Sequence, residues 1–309
     1  MEQFTQAIAE IAADSRSGAA QIADRAADVL LQRATVGQAP SAEAFRREIL
    51  ASGWALLRAQ TVMAPLVNLV NAVLWRMEAG DSPVRLRDAV AQATDEFKRH
   101  LRQHTLHMAE GTLALVSEGS RIVTISNSST IQHALIHAQR AGRHFEVICA
   151  ESFPDLEGRE AARLLHNCGL AVTLLEDAAA RAAIADADLV LVGADMLMSR
   201  GLVNKVGTYP MALAAREHGT PLYTVCGSEK FLPPGFRPVE RADLAPDVID
   251  VDQPWRLNVG SLPFDFTPIE LLTGIITEQG ILPVEAVEAW LAATRLHPAL
   301  VNYSPEAVF

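Results

Sequence analysis

Residues 121–130 read Arg121-Ile122-Val123-Thr124-Ile125-Ser126-Asn127-Ser128-Ser129-Thr130. Four β-branched residues in a row, Ile122–Ile125, predict a short strand, and the hydroxyl-rich stretch behind them predicts a turn that opens a helix. The same rhythm repeats downstream in Phe145-Glu146-Val147-Ile148, Leu170-Ala171-Val172-Thr173-Leu174, Leu189-Val190-Leu191-Val192 and Leu222-Tyr223-Thr224-Val225, and more weakly in Val248-Ile249-Asp250-Val251. Most of these runs are continuously apolar, as expected of parallel strands covered on both faces. With helical stretches between them they make strand–helix–strand units, so the expected architecture is α/β with a doubly wound parallel sheet.

Upstream of this region the pattern changes. Phe45, Ile49, Leu50, Trp54 and Leu57 recur three and four residues apart in an Ala-, Leu-, Glu- and Arg-rich background, which predicts helix. Ser41 with Glu43 looks like a helix cap with an acidic first turn, and Gly80-Asp81-Ser82-Pro83 punctuates the chain before a long helix carrying His100, His104 and His107. The division expected is a helical N-terminal domain over residues 1–115 and an α/β domain over residues 116–309.

Composition narrows the function. The 309 residues carry 26 Lys and Arg against 37 Asp and Glu, a formal charge of −11. That balance disfavours nucleic-acid or anionic-membrane partners, which need a basic face. Three cysteines, Cys149, Cys168 and Cys226, are too few and too scattered for a zinc ribbon or a disulfide framework. The N-terminus lacks a signal-peptide pattern and no apolar run is long enough to span a membrane, so a cytoplasmic location is expected. No two of the 18 glycines lie closer than six residues and none precedes a lysine. Dinucleotide-binding, nucleophile-elbow and P-loop motifs are therefore absent.

Ligands of open α/β sheets bind beyond the C-terminal ends of strands, which selects four positions. Ser126-Asn127-Ser128-Ser129-Thr130 can hold a phosphate on backbone N–H groups and hydroxyls, or Ser128 or Ser129 can simply cap the helix. In Gly193-Ala194-Asp195 a carboxylate leaving a buried strand has a raised pKa suited to proton transfer, although an aspartate there can also cap a turn. Asn204-Lys205-Val206-Gly207-Thr208 offers an amide and an ammonium ahead of a helix. Glu151-Ser152-Phe153-Pro154 with Glu157-Gly158-Arg159 brings a guanidinium toward the same crevice.

Taken together, Glu151-Ser152-x-Pro154-x-x-Glu157-Gly158-Arg159, Val192-Gly193-Ala194-Asp195, Asn204-Lys205-x-Gly207-Thr208 and Glu229-Lys230-Phe231 resemble the family of the α, β and δ subunits of translation initiation factor 2B. That family also holds isomerases of ribose 1,5-bisphosphate and 5-methylthioribose 1-phosphate. Phe264-Asp265-x-Thr267-Pro268 and Glu278-x-Gly280 are similar to its C-terminal signature, and Asp14-Ser15-Arg16-Ser17-Gly18-Ala19 to its N-terminal phosphate-binding segment. The resemblance implies a helical domain on a Rossmann-like domain, with a phosphorylated ligand between them and assembly as a homodimer or higher homo-oligomer. It implies no cofactor and no metal. In the isomerase branches an aspartate and a cysteine form the catalytic pair. Carried over, the aspartate is Asp195, whereas the cysteine position holds Ser126. A hydroxyl is a far weaker acid than a thiol of pKa about 8.5, so thiol-dependent chemistry would be crippled or rerouted. Gln60 stands where isomerase relatives often carry an arginine.

Cys149 and Cys226 each follow or close a strand and could stand in for the thiol, although cysteines so placed commonly pack as small core residues. The histidine sets His100/His104/His107 and His133/His137 each share a helix face, without the Glu of a zinc-helix motif, and are read as a solvated or interdomain face. Two functions remain. One is an aldose–ketose isomerase: Asp195 is the acid/base, Ser126 a hydrogen-bond donor, and Arg159, Asn204 and Lys205 orient a substrate whose phosphate sits on Arg16, Ser17, Gly18, Ala19, Asn127, Ser128 and Ser129. The other is a non-catalytic regulatory subunit that binds a sugar phosphate or nucleotide.

Overall fold

Successive strand side chains point to opposite faces, and here each face feeds its own core. Val123, Ile125, Val190 and Val192 pack with Met211, Ala212 and Ile184 on one side. Ile122, Val147, Leu189 and Leu191 pack with Ile131, Leu135, Leu165 and Met108 on the other. That double coverage is why the strands read as unbroken apolar runs. The computed structural model describes residues 2–238, 247–248, 260–301 and 303.

Five helices come first: α1 (Glu2–Ala12), α2 (Ala19–Val36), α3 (Ala42–Ala59), α4 (Ala64–Met77) and α5 (Pro83–Leu113). Ser41 Oγ accepts from Ala44 N at 3.2 Å, so the cap on α3 forms as expected. The helices enclose a third core around Phe45, Leu56, Leu66, Leu69 and Met77, which also takes in Met196, Leu232 and Phe236 from the C-terminal half.

The main sheet uses β1 (Arg121–Ile125), β2 (Glu146–Ala150), β3 (Ala171–Leu175), β4 (Leu189–Val192), β7 (Leu222–Val225), β11 (Gly274–Thr277) and β12 (Gly280–Leu282), in the order β12-β11-β7-β4-β1-β2-β3. Six strands are parallel, and β12 returns antiparallel at one edge. Helices α6 (Ser129–Arg140), α7 (Glu157–Asn167), α8 (Ala180–Ala185) and α9 (Thr208–His218) make the crossovers. A separate antiparallel sheet of β10 (Phe264–Pro268), β6 (Gly201–Lys205) and β5 (Met196–Met198) sits beside it. Two short helices, α10 (Val287–Ala292) and α11 (Pro298–Val301), complete the described chain.

One of the predicted strands is not part of the main sheet. The sixth parallel place belongs to β11, not to Val248–Val251. Residues 249–251 of that expectation lie outside the described ones. Its first residue falls in β8 (Asp247–Val248), which pairs with β9 (Gly260–Ser261) in a ladder apart from the main sheet.

Chain order fixes where the site falls. From β1 the chain steps outward through β2 to β3, then returns to lay β4, β7 and β11 on the other side of β1. The reversal lies between β1 and β4, and a crevice opens beyond the C-terminal ends of such a pair. Ser126 follows β1 and Gly193 follows β4, so the segments singled out in the sequence flank that point.

Candidate functional site

At this switch point lies a cavity of about 270 Å³ between the helical layer and the sheet, lined by Asp14–Ala20, Gln60 and Met63 from the helical side, and by Ile125–Thr130, Gly193–Asp195, Asn204, Lys205 and Lys230 from the sheet side. Every predicted site residue except Arg159 is on its wall. Arg159 is engaged elsewhere: its Nη2 and Nε lie 2.6 Å and 3.0 Å from Glu151 Oε2.

One end of the cavity is built from helix starts. Helix α2 begins after Gly18, and a Cβ on Gly18 would stand only 3.6–3.7 Å from Asn127 O, Ser129 N and Ser129 Oγ, so the starts of α2 and α6 touch. Ser128 caps α6 through its hydroxyl, as the bland reading of that serine has it. The unpaired N–H groups of two helix first turns give this end a positive potential suited to an anion. The loop before α2 is shaped by Asp14, whose Oδ1 accepts from Ser17 N at 2.8 Å and Arg16 N at 3.0 Å and whose other oxygen pairs with Arg25. Burial works against the Asp14 charge, but these hydrogen bonds hold its carboxyl at about 2. Gln60 Nε2 donates to Ile11 O at 2.8 Å and Asp14 O at 3.1 Å, so its amide serves the same loop.

The other end is built from side-chain charges. Asp195 directly follows the buried β4–Gly193–Ala194 segment; its N–H donates to Val203 O and its carbonyl accepts from Ala64 N, both at 3.0 Å. Desolvation pushes its carboxyl up to about 6, against the pull of Lys230 and Lys205 and with a further push from Glu157. Lys205, at the end of β6, places Nζ 2.7 Å from Glu157 Oε1 and 3.2 Å from Asp155 Oδ2. Burial works against its charge, yet Glu157 and then Asp155 hold its pKa above the ordinary lysine value. Ser126 Oγ donates to the same Glu157 oxygen at 3.1 Å. Asn204 Nδ2 donates to Thr208 Oγ1 at 2.9 Å.

Backbone strain gathers here. Ser126 (φ 69°), Ser152 (φ 64°) and Leu156 (φ 59°) are the left-handed non-glycine residues among those described, and all three sit just beyond β1 and β2. Ser152 Oγ accepts from Ser126 N at 2.9 Å, and Asp177 in turn accepts from Ser152 N and Phe153 N, which pins the turn. Gly158 lets α7 start against the end of β2, because a Cβ there would fall 2.0 Å from Ala150 O. That approach is what carries Glu157 under Ser126.

Sequence reasoning passed over Glu157, Asp155 and Lys230 as site residues. Glu157 and Lys230 lay inside quoted motifs, which was the available signal. Lys230 is 3% exposed and lines the cavity; its N–H donates to Gly227 O at 2.9 Å, while its ammonium makes no hydrogen bond or ion pair to a described residue. Its turn is clamped from the helical layer: Asn68 Nδ2 donates to Glu229 O at 2.6 Å and Phe231 O at 2.9 Å, and His104 Nδ1 lies 2.8 Å from Glu229 Oε2. Burial lowers the His104 pKa, but Glu229 and then Glu278 bring it above the usual histidine value. Among the described residues no histidine, cysteine or carboxylate group forms a metal-like cluster. Cys149 and Cys226 are buried in the two sheet cores, where desolvation pushes the Cys149 thiol up to about 12 and raises Cys226 further. Neither lines the cavity, so neither replaces the missing thiol. No described helix is long and apolar enough to cross a membrane.

Comparison with known proteins agrees with the fold. The model of the initiation factor 2 subunit family matches residues 15–284. The chain is 34% identical over 279 residues to a ribose 1,5-bisphosphate isomerase of Haloferax volcanii, covering 87% of this chain and 85% of that protein. The crystal structure of translation initiation factor 2B from Pyrococcus horikoshii superposes with a TM-score of 0.81 at 28% identity, over 92% of this chain and 98% of that one. A 5-methylthioribose 1-phosphate isomerase from the same organism shares the fold, with a TM-score of 0.71 at 22% identity over 94% and 88% of the two chains. With motifs and fold in agreement along nearly its whole length, the chain belongs to the initiation factor 2 subunit family.

Proposed function

We propose that the protein binds a phosphorylated sugar and interconverts its aldose and ketose forms, acting on a pentose 1-phosphate or 1,5-bisphosphate. The observation that carries this is Asp195, a carboxyl held at about 6 by burial against the pull of the buried Lys230 and Lys205, on the wall of a cavity that the starts of α2 and α6 also line. An aldose–ketose exchange moves hydrogen between neighbouring carbon and oxygen atoms with no net gain or loss. It needs one group that takes a proton and returns it, and such a group works best with a pKa near the working pH. Asp195 fits that role. Lys205 and Lys230 are the cations that would steady an oxygen as it gains negative charge. Arg16, Ser17, Gly18 and Ala19 with Asn127, Ser128 and Ser129 take the phosphate. Ser126 supplies a hydroxyl, and Asn204 lines the wall between. The likeness to the Haloferax volcanii isomerase supports the reading. A cytoplasmic homodimer or higher homo-oligomer goes with it, to be checked by light scattering.

Turnover assays with pentose 1-phosphates and 1,5-bisphosphates test the proposal. The wild type should convert at least one of them, and Asp195→Asn should lose about 10²–10⁴-fold in kcat. An inactive wild type, or a fully active Asp195→Asn, ends it. Ser126 favours a second reading, a regulatory protein that binds the same ligand without converting it. That reading predicts ligand-induced thermal stabilisation with no product formed.

A further inference from the structure

Behind the Lys230 wall of the cavity, three carboxylates share two cations. Glu229 and Lys230 are neighbours on one buried turn, Glu278 lies between β11 and β12, and His104 reaches in from α5. The charges of Lys230, Glu229, Glu278 and Asp195 all bear on the buried Cys226 thiol, so the four groups surround one point just beyond β7. Their pairing is uneven. His104 Nδ1 lies 2.8 Å from Glu229 Oε2 and 3.9 Å from Glu278 Oε2, and Ser228 N donates to that same Glu278 oxygen at 3.0 Å. Glu229 reaches the ring by folding back over Gly227, where a Cβ would stand 2.2 Å from Glu229 Oε2. On its own helix His104 faces His100, whose ring stacks on it with centroids 5.8 Å apart. The Lys230 ammonium is left over, and Asp195 feels its pull.

We propose that His104 is a positioning residue for the acid/base step: its positive charge takes up Glu229 and Glu278 and so leaves Lys230 to Asp195. The role rests on the acid/base reading of Asp195 given above. A protonated ring donates from Nδ1 to Glu229 and offsets Glu278 beside it, and those two carboxylates in turn hold the proton on the ring against burial. Without that charge, two carboxylates crowd one partly dry site with no counter-ion of their own. The uncommitted cation beside them is Lys230, an ammonium on a flexible stem. Drawn toward Glu229 and Glu278, it would pull less on Asp195, whose carboxyl would then keep its proton to a higher pH. The same movement would take a cation away from the oxygen that gains charge in the reaction.

NMR titration of the Asp195 carboxyl, with isotope-labelled aspartate and Asp195→Asn to assign the signal, tests this without any need for turnover. In His104→Gln, which keeps a polar side chain but no charge, the Asp195 midpoint should rise by about half a pH unit or more. His104→Lys, which stays charged throughout the titration, should return the midpoint more than halfway to its wild-type value. Where the longer chain does not fit, the double variant His104→Gln/Glu229→Gln, which removes the rival carboxylate, should do so instead. The acid limb of kcat/KM should move with the midpoint in each variant. A smaller rise in His104→Gln overturns the inference, because a proton on Glu229 rather than Lys230 has then replaced the lost charge. So does a rise that neither rescue reverses, because packing rather than charge is then at work. An inactive wild type ends the isomerase reading alone, since the carboxyl titration still decides whether His104 sets the field at Asp195.

Discussion

The two ends of the cavity hold charge by different means. At the α2 and α6 starts the positive potential comes from peptide N–H groups that every residue but proline supplies, and side chains only shape the loop. At the Asp195 end the potential is assembled from Glu157, Asp155, Lys205, Lys230 and Asp195, carried on four separate segments of the chain. The first end should therefore forgive substitution. The second should not, because Lys205 is paired with both Glu157 and Asp155 and Ser126 bonds the same Glu157 oxygen, so one substitution disturbs several contacts.

That contrast can be broken in three ways. The largest effect expected is with pH. The proposed base role of Asp195 requires it ionised, so kcat/KM should fall about ten-fold for each unit below about pH 6, whereas sulfate, which keeps its charge over this range, should bind the helix-start end almost equally well from pH 5 to 7. A shared acid limb for both would show that the ends are not separate. Next comes Gly158→Ala. The added Cβ would press on Ala150 O, and overpacking of this kind costs about 1–3 kcal/mol. Chemical unfolding should show that loss, and turnover should drop as Glu157 is displaced. The smallest is Ser128→Ala, which removes the α6 cap for about 1 kcal/mol of stability while leaving the N–H groups in place. Sulfate affinity should change less than about three-fold. Abolished binding would place the anion on the hydroxyl and reverse the contrast.

How much of this could be read without coordinates follows the same divide. Strands β1, β4 and β7 were legible because alternating burial in two cores leaves an uninterrupted apolar signature. The helix starts were legible because small hydroxyl residues behind a strand have a local meaning. Strand β11 was not: Gly274-Ile275-Ile276-Thr277 is short, begins with glycine, and owes its place to β7 some fifty residues earlier. Strand β6 hid as a loop because it ends in the polar Asn204-Lys205 that the site uses. The charge network was the least visible part. Lys205 and Glu157 lie far apart in sequence, and nothing local says that the guanidinium of Arg159 turns back to Glu151 while its neighbour Glu157 faces the cavity. Ser126 stood out by its place directly after β1, but its partner, the Glu157 carboxylate that accepts from its hydroxyl, emerges only from the packing of α7.

The main-chain ties of Asp195 have a mechanical consequence. Its amide is stitched to β6 and its carbonyl to the first residue of α4, so Asp195 is a rivet through both layers rather than a tip on a loop. Any rocking of the helical layer over the sheet must drag this carboxyl along or tear the rivet. On the proposed reading, a ligand held at the start of α2 could shift there while the Asp195 main chain keeps its ties to both layers.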